Sequence, residues 1–80
     1  MTGGGEGMEQ RVVAVQPPYI KLDAFLKFSG AAETGGQAKE WVQEGRVLVN
    51  GQVCLQRGKK LVNGDRVELA GQLLLVVSFG

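Results

Sequence analysis

The dipeptide Asn50-Gly51 lies between two runs of β-forming residues, RVLV and QVCL. Asn-Gly is the strongest short-range hairpin signal, because a two-residue type I′ turn needs positive φ at both central positions. Between Leu22 and Val42 the apolar residues recur at helical spacing; from Arg46 they follow strand patterns. The chain must therefore bring short helices and an antiparallel sheet onto one core, and 80 residues leave room for a single small domain.

The elements follow from local chemistry. Arg11 to Val15 (RVVAV) is β-branched and reads as a first strand, ended by Pro17 and Pro18, which force an extended entry to the first helix. In YIKLDAFLKFSG, Leu22, Phe25, Leu26 and Ser29 share one helical face. Asp23 suits the positive end of the helix macrodipole, and Gly30 stops the helix. A second helix begins at Thr34, where Thr34 and Gln37 form a capping box, each satisfying a backbone donor of the other's residue. Ala38, Trp41 and Val42 make its apolar stripe, and Gly45 closes it. Val47, Leu48, Val49, Val53, Cys54 and Leu55 are all apolar, so the pattern does not say which face of the hairpin is inside. Turns come at Asn63-Gly64-Asp65 and Ala70-Gly71-Gln72, with strands from Arg66 to Leu69 and over LLLVVSF. The expected fold is α+β, two short helices packed on one face of a small antiparallel sheet in the order β-α-α-β-β-β. Residues 1–8, rich in Gly and polar side chains, are expected to be a disordered segment before a single domain over residues 9–80.

Composition excludes several kinds of chemistry. There is no histidine and only one cysteine. This removes Ser-His and Cys-His nucleophile pairs, imidazole zinc sites and structural zinc knuckles. Cys54, in the strand-like run GQVCL, reads as a small packing residue. No apolar run approaches the roughly 18 residues of a membrane span, and the N-terminus lacks the basic and apolar regions of a secretory signal. The expectation is a cytoplasmic, non-enzymatic protein with no cofactor, no metal, no membrane partner and no small-molecule substrate. Glu40 and Glu44, four apart on the second helix, read as a solvated face, since no cleft is implied that would shift a carboxylate pKa.

The segment TGGQAK poses a narrower question. A phosphate-binding loop of the Walker type needs a hydroxyl residue after its lysine, but Lys39 is followed by Glu40. What remains is a helix start offering backbone N–H groups at Gly35, Gly36 and Gln37, which a phosphate oxygen of a polynucleotide can approach closely. The glycines equally suit a tight turn between helices, and the residues alone do not choose. The net charge is only +1, but Arg57-Gly58-Lys59-Lys60 carries three cations in four residues. Such a loop suits phosphate contacts.

Taken in order and spacing, YIKLDAFLK, TGGQAK, EGRVLVNG, RGKKL and GDRVE closely resemble the stand-alone bacterial proteins of the YaaA/YbcJ type. These belong to the RNA-binding domain superfamily named after the small-subunit ribosomal protein S-four, whose fold is the alpha-L motif. The resemblance runs from about Tyr19 to Leu69 and implies two helices against a small sheet. It also implies an RNA surface made of the exposed side of the first helix (Lys27), the start of the second (Thr34, Gly35, Gly36 and Gln37, with Lys39 one turn in) and the basic loop (Arg57, Lys59 and Lys60). Many superfamily members have Ser-Arg where this chain has Thr34-Gly35, so that arginine is missing here; the YaaA-like branch itself carries Thr-Gly-Gly. The implied partner is structured RNA, ribosomal or transfer RNA, with the ribosome a candidate. The alternative is a protein-interaction domain that keeps the fold without RNA affinity, its contact marked by an apolar patch around Phe28 and Tyr19. Trp41 reads as core. Tyr19 can either cover the core or stack on a base. Phe28 lies off the apolar stripe.

Overall fold

The computed structural model of the protein describes residues 9–69 and 71–79. The segment over residues 1–8, expected to be disordered, lies outside them, as does Ala70 of the last turn. In chain order the elements are β1 (Glu9–Ala14), β2 (Ile20–Lys21), α1 (Leu22–Phe28), α2 (Gly35–Gln43) and β3 (Val47–Val49), then β4 (Gln52–Val53), β5 (Lys60–Leu61), β6 (Arg66–Leu69) and β7 (Leu73–Ser78). The fold is α+β: the two helices pack against each other and share one core with the sheet.

The helical stripes bury as their spacing requires. Leu22, Phe25 and Leu26 of α1 and Ala38 and Val42 of α2 are fully buried, while Trp41 is half-buried against the same core. Ser29 ends α1: its hydroxyl donates to the Leu26 carbonyl at 3.0 Å, and Gly30 then turns the chain at φ +85°. The cap of α2 differs from the expected reciprocal box by one residue. Thr34 Oγ1 accepts from the Gln37 amide at 3.1 Å, but Gln37 Oε1 accepts from the amide of Glu33, at 2.8 Å, and not from that of Thr34. The longer reach satisfies a donor ahead of the cap and ties the inter-helix loop to α2.

Asn50 and Gly51 have φ of +52° and +86°, as the type I′ turn demands. Val47 and Val49 are buried and Leu48 is not, which settles the inner face of the hairpin. The ladder is short. It ends at Val53, leaving Cys54 half-buried against the core and Leu55 exposed. A side-chain lattice then joins the hairpin turn to the next one. Asn50 Nδ2 donates to Asp65 Oδ1 at 3.1 Å, and Asn50 Oδ1 accepts from the Arg66 amide at 3.0 Å. Asp65 Oδ2 accepts from the Val62 amide at 2.9 Å.

The sheet has the order β1-β7-β6-β3-β4, and β6 is its middle strand. Four of its strands are antiparallel neighbours, but β1 lies parallel to β7, with Glu9 opposite Leu73 and Ala14 opposite Ser78. The expectation of an antiparallel sheet fails at this one pair, because the direction of β7 is set by its hairpin with β6 and β1 takes the free edge beside it. A second, two-residue ribbon pairs β2 with β5 antiparallel, setting Ile20 opposite Leu61 and Lys21 opposite Lys60. It is too short for a period-2 pattern to reveal.

Candidate nucleic-acid interface

The first turn of α1 has no side-chain cap: its N-cap residue, Lys21, is extended. The first two donors of the helix are taken by the basic loop, and the third, the Ala24 amide, donates to Asp23 Oδ1 at 2.7 Å. The Leu22 amide donates to the Lys59 carbonyl at 2.9 Å and the Asp23 amide to the Arg57 carbonyl at 3.0 Å. The β2–β5 ribbon continues this seam. The loop is therefore held by its backbone, leaving the side chains of Arg57, Lys59 and Lys60 exposed. Lys60 Nζ lies 4.9 Å from the centroid of the Tyr19 ring, and Tyr19 is 39% exposed. Tyr19 thus sits at the edge of the basic loop with part of its surface in solvent.

Lys21, exposed and directly opposite Lys60, joins this cluster. The sequence reading missed it. Its only signal is the pairing of two dipeptides some forty residues apart, which no local pattern carries. Lys27 is exposed in the last turn of α1, at the far end of the helix from the loop.

At the start of α2, Thr34, Gly35 and Gly36 are exposed, Gln37 is half-buried and Lys39 is exposed. The Gln37 amide is occupied by Thr34 Oγ1, so the donors left at this helix start, among the described residues, are those of Gly35 and Gly36. Neither glycine has a positive φ. A Cβ on Gly35 would meet nothing within 4 Å, and one on Gly36 only Thr34 Oγ1 at 3.8 Å. The tight turn between the helices is made by Gly30 instead. The fold does not require glycine at either position, although each glycine weakens a helix.

Two ion pairs are present among the described residues: Arg11 with Glu9 at 2.6 Å and Arg46 with Glu44 at 3.0 Å. Lys21, Lys27, Lys39, Arg57, Lys59 and Lys60 stand outside them. The structure brings Arg57, Lys59, Lys60 and Lys21 together around the start of α1. It attaches the Thr34–Lys39 segment through the packing of α2 on α1, with no hydrogen bond to the loop among the described residues. No helix of the described residues is long and apolar enough to cross a membrane.

The sequence matches the model of the S4 domain family over residues 13–77. It is 39% identical over 59 residues to a Bacillus subtilis protein named "Probable ribosome maturation protein RlbA", a match that covers 74% of this chain and 83% of that protein. It is 39% identical over 61 residues to an Escherichia coli protein named "Putative RNA-binding protein YbcJ", a match that covers 76% of this chain and 87% of that one. The solution structure of YbcJ, described as revealing an alpha-L motif involved in RNA binding, superposes with a TM-score of 0.58 at 32% identity. That superposition covers 95% of this chain and 96% of YbcJ.

Proposed function

The chain belongs to the S4 domain family, and on that premise we propose that it is a non-enzymatic RNA-binding domain, formed by residues 9–80, acting in the cytoplasm on structured ribosomal or transfer RNA. Its mode is recognition of shape and phosphate backbone. The observation that carries the reading is the basic loop, anchored by its carbonyls to the first turn of α1 while its cations stay out of the ion pairs of the described residues. A backbone held in this way presents charge in a fixed place, which lowers the ordering cost of binding. Lys27, Lys39, Arg57, Lys59, Lys60 and the newly placed Lys21 displace counterions from the RNA. Thr34, Gly35, Gly36 and Gln37 form the helix start where a phosphate approaches the two open amides. The name of the B. subtilis relative favours ribosomal RNA and association with the ribosome.

The test is filter binding of the purified protein to labelled total bacterial RNA across a salt series, beside the Arg57→Ala/Lys59→Ala/Lys60→Ala variant. Binding that weakens with salt and is lost in a folded variant supports the reading, and sequencing the retained RNA names the target. A second reading, a protein-interaction domain, draws on Phe28, 62% exposed on α1. It is favoured if folded wild-type protein retains no RNA at any salt.

A further inference from the structure

Successive residues of a strand face opposite sides of the sheet. Val47, Val49, Val67, Leu75 and Val77 are buried on the side that the helices cover. Leu48, Arg66, Glu68, Leu74 and Val76 therefore face the other side. The strand register sets Val53, Leu48, Glu68, Leu74 and Gln10 in one row across the sheet, and Arg66, Val76 and Val12 in the next. Val12 is 68% exposed, and Leu48, Leu74 and Val76 are half-buried. A shallow groove lined by Asn50, Gly51, Arg66, Glu68 and Leu74 opens on the same face. Neither Arg66 nor Glu68 takes part in the ion pairs of the described residues.

We propose that this outer face is a self-association surface, covered by a second copy of the chain packed sheet against sheet about a two-fold axis that crosses β6 at Val67. A two-fold axis lying in the interface and perpendicular to the strands reverses strand direction and keeps each strand over its own copy. Arg66 then meets the partner's Glu68, Leu74 meets the partner's Val76, and Val12 meets the partner's Gln10, each contact made twice. The order of charges along the middle strand, cation then anion with one buried residue between, is what makes the face complementary to itself. Apolar residues flank the charges on the β7 side.

The size of the face sets the strength. Five strands roughly 4.8 Å apart span about 20 Å, and two rows of side chains bury on the order of 1,000 Å² in total between two copies, the low end for specific interfaces. The association is therefore reversible and depends on concentration. The face lies opposite the helices, so a dimer leaves the basic loop free. The inference does not depend on the RNA reading.

The experiment is sedimentation velocity on the full chain from about 5 μM to about 1 mM, in low and moderate salt. It compares the wild type, Arg66→Glu, Glu68→Arg and the exchanged double variant Arg66→Glu/Glu68→Arg, each checked for its native circular dichroism. The wild type and the double variant are expected to sediment faster as concentration rises. Each single reversal sets like charges against each other and is expected to weaken association at least tenfold. A wild type that stays monomeric throughout overturns the proposal and leaves the face open to a partner of another sequence. Single reversals that associate as well as the wild type overturn it too, as does a double variant that fails to recover.

Discussion

The backbone amide of Asp23 donates to the carbonyl of Arg57 at 3.0 Å, so the basic loop closes the start of α1 where its N-cap residue, Lys21, offers no side-chain cap. A helix start and a candidate binding loop are thereby one structural unit. Apart from the Lys60 ammonium over the Tyr19 ring, the cations of the loop make no side-chain contact that holds it among the described residues, which largely separates charge from stability.

The Arg57→Ala/Lys59→Ala/Lys60→Ala variant is expected to keep its melting temperature within about 2 °C, since the exposed side chains removed carry little stability. Its RNA affinity should fall at least tenfold, and the slope of log affinity against log salt should flatten by about 2 to 3. Thermal melting and the salt series read the two effects separately.

Lys21→Ala is expected to weaken RNA binding about as much as Lys60→Ala, because the two residues face each other across the β2–β5 ribbon. Each removes one phosphate contact and flattens the salt slope by about 1. Equal slopes for Lys21→Ala and wild type would remove Lys21 from the surface.

Gly35→Ala is expected to stabilise the protein by up to about 1 kcal/mol, since φ is not positive and the added methyl meets open space. The same methyl stands beside the open amides, so RNA affinity should fall as the melting temperature rises. Urea unfolding paired with filter binding measures this opposition; a variant that gains stability and keeps full affinity would show that phosphate does not approach there.

Asn50→Ala loses both side-chain bonds that join the hairpin turn to Asp65 and to the Arg66 amide, and puts alanine at φ +52°. The expected cost is about 2 kcal/mol. It appears as a lower urea midpoint with an unchanged slope.

Phe25→Ala empties the largest fully buried side chain of the core. The expected loss is about 3 to 5 kcal/mol, enough to leave a domain of this size largely unfolded at 37 °C by circular dichroism.

Much of this architecture was legible because it is local. Leu22, Phe25 and Leu26 repeat at helical spacing and are buried together, and Asn50-Gly51 states its turn in two residues. The helix start at Thr34 was legible for the same reason, although Gln37 reaches one residue further back than a capping box predicts. What escaped the sequence was relational. The parallel alignment of β1 with β7 depends on where the intervening chain returns, and no residue of RVVAV encodes that. Lys21 joins the basic cluster through a ribbon of two residues a side. Nor could the sequence tell that Gly30 makes the turn between the helices, or that a side chain at Gly35 would meet open space and one at Gly36 only Thr34 Oγ1.

The parallel pairing of β1 with β7 also bears on how the protein is made. Every other strand of the large sheet finds a hairpin neighbour or returns to one already formed, whereas β1 has no partner until β7 has been synthesised. Closing so long a loop carries a high entropic cost and slows folding. While translation proceeds, the helices and the Asn50-Gly51 hairpin can assemble, but the edge strand waits, and the sheet is completed by the meeting of its earliest and latest strands.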